Sequence, residues 1–229
     1  MRSHHLRAAA GGGFFDLAVA HYSIPYVSVY KFSTGVGFIS RYSDPSTQPT
    51  SMGIGVAFSP DGTHIAVAHV TSPYVTAYPW TKGSGFGTKY SDPSTLPGGN
   101  CLGIAFNPDG TVLALAQYIN YSMSAYKWTA SGFGTKYADP QTLPHSGHSI
   151  TFSPDGTLVA LGSVYSPYIT VYPFNFNTGF GTKYSDPSTL PAGGGRGVVF
   201  SPDGSDLAVG HNNSPYISVY PWSSGFGTK

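Results

Sequence analysis

Three histidines, His21, His69 and His211, close the same kind of short apolar segment: Leu17-Ala-Val-Ala-His21, Ile65-Ala-Val-Ala-His69 and Leu207-Ala-Val-Gly-His211. Gln117 and Ser163 hold that place in two further copies. Imidazoles gathered by repetition can bind a metal, move a proton or touch a ligand. A zinc ion needs donors within about 2.0–2.1 Å. Residues at equivalent places in successive repeats stand too far apart for that, and two of the five are Gln and Ser. Neither a metal nor a cofactor is therefore expected. A few residues on, Tyr26, Tyr74, Tyr168 and Tyr216 each follow a proline; in the third copy Tyr121 takes the proline position, with Ser122 behind it. Tyr among Ser, Asn and Gly makes an adaptable recognition surface. The candidate ligand-binding set is thus His21, His69, Gln117, Ser163, His211, Tyr26, Tyr74, Tyr168 and Tyr216. The competing reading makes these tyrosines packing between repeats, with the hydroxyl at the rim.

Carboxylates offer less. Asp61, Asp109, Asp155 and Asp203 lie in one kind of turn, and Asp44, Asp92, Asp139 and Asp186 precede a proline in one kind of loop. Asp in such places bonds its own backbone, so no pair is free for acid–base work on a glycosidic bond. There is no Gly-x-Ser-x-Gly elbow and no Gly-x-x-x-x-Gly-Lys loop. Gly193-Gly-Gly-Arg-Gly197 resembles a phosphate loop in composition only, because it leads into a strand and not a helix. Lys89, Lys136, Lys183 and Lys229 recur in Gly-Thr-Lys, a spacing that suits edge protection better than a nucleic-acid patch. On these residues no catalytic site is expected and the chain reads as non-enzymatic.

The elements that carry these residues are short strands. Asp61, Asp109, Asp155 and Asp203 recur at steps of 48, 46 and 48 residues inside Phe-(Ser/Asn)-Pro-Asp-Gly, and a period of that size marks a repeat fold. Runs of five to seven residues rich in Val, Ile, Tyr and Phe, bounded by Gly and Pro, are strand signals. Alternate residues such as Tyr74, Thr76, Tyr78 and Val75, Ala77 are uncharged on both faces, so each sheet is stacked between others. The 229 residues are 40% hydrophobic and only 9% charged, with net charge +1. No field draws nucleic acid or an anionic membrane. Nothing approaches the roughly 20 apolar residues of a membrane helix, and no signal peptide is visible, so localisation is left open. Cys101 is alone, which excludes an internal disulfide.

Four antiparallel strands in about 47 residues, stacked face to face, form the blade pattern of a β-propeller. The repeat resembles the WD-repeat family, most clearly in Val-Ala-Phe-Ser-Pro-Asp-Gly62, with Tyr78-Pro-Trp80 and Tyr220-Pro-Trp222 where that family has its Trp-Asp pair. The Asp of the pair and the Gly-His signature are missing. The resemblance implies an all-β propeller, with the Gly53–Phe58 type innermost and the Phe86–Tyr90 type outermost.

Residues 1–15 then read as a leader or a degenerate strand, and 16–229 as one propeller domain of five repeats. The first blade is expected to lack its inner strand, since Ala10-Gly-Gly-Gly13 stands only three residues before Asp16 where Ala192-Gly-Gly-Gly195 stands eleven before Asp206. The last is expected to lack most of its outer strand. An incomplete blade exposes backbone and apolar surface. Partners are therefore expected to be protein or a second copy of the chain, a homodimer completing the ring being one form of this. The function expected is a binding, scaffold or self-assembly module; the alternative is a lectin-like propeller with one shallow glycan site per repeat.

Overall fold

The computed structural model describes residues 4–6, 13–118, 122–142 and 145–229. The described residues form five small antiparallel sheets and no helix. The first blade comprises β1 (His4–Leu6), β2 (Phe15–Ala20), β3 (Val27–Ser33) and β4 (Gly37–Arg41); the second, β5 (Gly53–Phe58), β6 (His64–His69), β7 (Val75–Thr81) and β8 (Gly85–Phe86). The third holds β9 (Cys101–Phe106), β10 (Val112–Gln117), β11 (Met123–Thr129) and β12 (Gly132–Lys136); the fourth, β13 (Gly147–Phe152), β14 (Leu158–Ser163), β15 (Ile169–Asn175) and β16 (Gly179–Phe180). The fifth has β17 (Gly195–Phe200), β18 (Asp206–His211) and β19 (Ile217–Pro221), and a single bridge between Trp222 and Phe226 marks where its outer strand would begin. The short last blade is as expected. The first blade is not: His4–Leu6 pairs with Leu17–Val19 and fills the inner position with three residues. The strand lies upstream of the glycine run, outside the register in which the other blades set theirs.

Local chemistry explains the hairpins. In the Ser59-Pro-Asp-Gly62 turn, Gly62 takes φ 69° and its N–H donates to the Ser59 carbonyl at 2.8 Å. Asp61 accepts from Ser59 Oγ at 2.5 Å, Thr63 N at 3.0 Å and Thr63 Oγ1 at 2.6 Å. Partial burial would raise the Asp61 pKa, but the hydrogen bonds outweigh it and hold it down to about 2. The other aspartates expected to cap turns, Asp44, Asp92, Asp139 and Asp186, instead pair with a cation three residues earlier: Arg41, Lys89, Lys136 and Lys183.

Between blades the packing is aromatic and aliphatic. Tyr78, Tyr126, Tyr172 and Tyr220 on the third strands are fully buried, and each hydroxyl donates to the carbonyl of a loop threonine: Thr47, Thr95, Thr142 and Thr189. Such a tie fixes each blade to the loop that enters it. The inner strands follow one another in the succession β1, β5, β9, β13, β17, and no comparable contact joins β17 back to β1 among the described residues. The blades form an open arc.

Candidate active site at the channel mouth

The inner strands line the axis, and their first residues pair with the last residues of the second strands, as Gly53 does with His69. The loops between second and third strands therefore lie on the same face as the start of the inner strands. The Ser-Pro-Asp-Gly turns lie on the opposite face. On the loop face a cavity of about 390 Å³ opens between the inner strands of the second to fifth blades. Its second-position residues are Ile54, Leu102, His148 and Arg196. Two blades contribute aliphatic side chains there, and the two adjacent ones an imidazole and a guanidinium.

These two differ in environment. His148 is buried, 8% exposed, and held by its surroundings. Arg196 is exposed to the cavity. Every other described cation has a partner: Arg41, Lys89, Lys136 and Lys183 their aspartates, Lys31, Lys82 and Lys127 aromatic faces, and Lys229 the Leu190 carbonyl. Among the described residues Arg196 has none. No aspartate lines this cavity, and the chain contains no glutamate. Ser149, beside His148, accepts a hydrogen bond from Val198 N at 3.2 Å and so helps to bind the fourth blade to the fifth. Chemically the cavity offers an anion-binding guanidinium next to a group able to take up a proton.

Glycine makes this approach of inner strands possible. A Cβ at Gly103 would come within 3.0 Å of the His148 carbonyl oxygen, and one at Gly55 within 3.1 Å of the Leu102 oxygen. The opposite mouth, a hollow of about 410 Å³, is walled by Phe106, Phe152, Phe200 and the turn prolines, with no ionisable side chain. A larger hollow of about 810 Å³ lies on the outer face of the first blade, between Leu17, Tyr30 and Phe38. It holds His21, Arg41 and Asp44, but Arg41 is bound to Asp44 and to Ser28 Oγ, which also meets His21 Nε2. No group of three His, Cys, Asp or Glu able to hold a metal occurs among the described residues.

The nine residues singled out by sequence lie at the ends of the second strands and in the loops that follow them, on the same face as the cavity, and none of them lines it. Each tyrosine carbonyl accepts from the residue that ends the second strand: His21 N to Tyr26 O at 3.0 Å, His69 N to Tyr74 O at 2.9 Å, Ser163 N to Tyr168 O at 2.9 Å and His211 N to Tyr216 O at 2.8 Å. Gln117 N does the same with Ser122 O. Tyr26, Tyr74, Tyr168 and Tyr216 hold φ near 70°, and the prolyl bond before each is cis. The side chains turn along the sheet. His69 Nε2 meets Thr76 Oγ1 at 2.9 Å, Gln117 Nε2 donates to Ser124 Oγ at 2.6 Å, His211 Nε2 meets Ser218 Oγ at 3.0 Å, and Ser163 Oγ donates to the Tyr165 carbonyl at 2.6 Å. His69, Gln117, Ser163 and His211 are buried, and Tyr216 is exposed. The set is thus a series of loop closures, one per blade, and does not converge on one point.

His148 and Arg196 were outside that set. The signal for them is a break in an otherwise apolar column: with the repeats aligned, Ile54 and Leu102 give way to His and Arg. Turn motifs and recurring residues draw attention to what the repeats share, and this pair is where they differ.

No family model matches the chain, and no curated protein matches its sequence. The fold has solved counterparts. Crystal structures of a "putative 6-phosphogluconolactonase" from Bacteroides fragilis NCTC 9343 and of another so described from Bacteroides uniformis ATCC 8492 superpose with TM-scores of 0.71 and 0.68, at 16% and 17% identity. They cover 93% and 94% of this chain, which spans 65% and 66% of theirs. At this identity the likeness is one of fold. It nevertheless overturns the expectation that the chain is non-enzymatic, a binding or lectin-like module, because both neighbours carry the name of an enzyme on this architecture. The absence of nucleophile elbows and paired acids, on which that expectation rested, does not argue against chemistry in a propeller channel.

Proposed function

We propose that the loop-face channel is the active site of a hydrolase acting on a small anionic lactone or ester, a phosphorylated sugar lactone being the first substrate to try. The observation that carries this is the pair His148 and Arg196, on adjacent inner strands and in one cavity. The description of the two solved neighbours as 6-phosphogluconolactonases supports it. Arg196, without an acid partner, binds the phosphate or carboxylate of the substrate through paired N–H donors. That holds the ring carbonyl beside His148. His148 takes a proton from water as the water oxygen bonds to the carbonyl carbon. The C–O bond of the ring then breaks, and the proton passes from His148 to the departing ring oxygen, giving the open acid. The kinship of the repeat with WD-repeat propellers belongs to the same proposal, and rests on the Val-Ala-Phe-Ser-Pro-Asp-Gly62 segment.

Hydrolysis of 6-phosphogluconolactone, followed by acid release at constant pH against the spontaneous rate, tests the reading. The chain is expected to accelerate ring opening, and His148→Asn to bring the rate down by 10²-fold or more, as expected for loss of a general base. A rate no faster than buffer, or a His148→Asn variant as active as the parent, would overturn it.

A further inference from the structure

Among the described residues two blade faces in the arc have no neighbour, although each is built for one. On the fifth blade Val199, Ile217 and Val219 are 56%, 56% and 44% exposed. The residues in the place of Ile217 on the other blades, Val27, Val75, Met123 and Ile169, are completely buried against the next blade. A Cβ at Gly197 or Gly210 would meet nothing within 4 Å, whereas at the corresponding Gly55, Gly103 and Gly162 it would meet backbone of the next blade at 3.0–3.2 Å. The first blade has the complementary deficit. Its Phe38 is exposed and its Val19 and Tyr30 half-buried, where Tyr78, Tyr126, Tyr172 and Tyr220 are fully buried.

What should cover these faces can be read from a pairing rule at each blade junction. The first residue of a second strand, or the second in β2, faces the aromatic near the end of the next blade's third strand. Asp16 accepts from Trp80 Nε1 at 2.9 Å, and from its own blade's Tyr42 hydroxyl at 2.7 Å. His64 meets Trp128 edge-on at 5.4 Å. Val112 shares a core with Phe174, and Leu158 with Trp222. A polar or bulky first residue takes Trp, and Val takes Phe. The free position on the fifth blade is Asp206, whose hydrogen-bonding counterpart is Trp, as with Asp16. The free aromatic on the first blade is Phe32, whose counterpart is an apolar residue, as with Phe174. Closing the fifth blade directly onto the first would set Asp206, whose carboxylate has only a long 3.4 Å bond from its neighbour Ser205 Oγ, against Phe32, which offers no donor.

We infer that the gap is filled by a pair of further blades of this repeat, the first bearing Trp at the third-strand position and the second Val at the start of its second strand. The second and third blades of this chain have those two features, in Trp80 and Val112. The solved neighbours extend beyond the match by about a third of their length, room for about two blades of this repeat.

The test appends a second copy of residues 42–136 after Lys229, which stands where Arg41 precedes Tyr42. The 229-residue chain is expected to bind an apolar fluorescent dye. The extended chain should be monomeric, bind several-fold less dye and melt several degrees higher. Trp80→Phe in the appended copy alone should take back part of that gain, and should cost nothing in an Asp206→Val background, since Val is the residue that pairs with Phe. An extended chain that melts no higher and still binds dye overturns the inference. So does one that forms concentration-dependent oligomers as readily as the shorter chain, since a second copy is then the occupant. If the extension precipitates, Ile217→Lys with Val219→Lys in the 229-residue chain decides: the inference requires less dye binding at an unchanged melting temperature. Unchanged dye binding or a large fall in melting temperature contradicts it.

Discussion

His69 shows how one residue type can be structural in most blades without being inert. Burial pushes its imidazole down to about 4, against smaller opposing contributions from a Thr71 backbone hydrogen bond and the Asp92 charge. In the unfolded chain it titrates near 6.5. Between these values the unfolded state binds a proton that the folded state refuses, so stability is complete above about pH 6.5 and falls as pH drops towards 4. The span corresponds to about 3 kcal/mol. His64, also lowered by burial, adds in the same direction. The third blade supplies the control, because Gln117 makes the equivalent bond to Ser124 without a titrating group. His69→Gln is expected to flatten the fall in urea midpoint between pH 7.5 and 4.5. An unaltered slope would show that the acid sensitivity lies elsewhere. That His69 would be buried and bonded to Thr76 on the neighbouring strand was not legible in sequence, which marks the position and says nothing of the direction in which the side chain turns.

At the scale of the element, the strand pattern was legible because Gly and Pro punctuate runs of β-branched and aromatic residues, and because the repeat fixes the register. The inner strand of the first blade was not. His4–Leu6 carries no alternating pattern of its own and is recruited by the free edge of β2, a tertiary effect. The junctions between elements make two contrasts. Asp16→Ala leaves the Trp80 indole N–H and the Tyr42 hydroxyl without an acceptor, and should cost about 2–3 kcal/mol in chemical denaturation. Asp206→Ala, on the open face, should cost under about 0.5 kcal/mol. Likewise a Cβ at Gly53 would fall 2.2 Å from the Tyr26 carbonyl oxygen, a backbone atom that cannot step aside. Gly53→Ala is expected to destabilise by about 2 kcal/mol or more, and Gly197→Ala hardly at all. Equal effects within either pair would contradict the assignment of packed and open faces.

For the whole molecule, five stacked blades were readable from the period together with the five segments ending at His21, His69, Gln117, Ser163 and His211, whereas the proposed channel site was not. Period and motif report what blades have in common; a single site on the axis depends on what they do not. His148 and Arg196 acquire a shared meaning only when the arc places the fourth inner strand against the fifth. Arg196 also stays free of acids because the repeat assigns its aspartates to turns and to the lysines of the outer strands. The most direct measurement is the ratio of kcat/KM for 6-phosphogluconolactone over the unphosphorylated gluconolactone, in the parent chain and in Arg196→Ala. If the channel binds the anion through Arg196, the parent prefers the phosphorylated lactone by tenfold or more, and the variant loses that preference through a raised KM. A parent without preference, or a preference untouched by Arg196→Ala, would contradict the account.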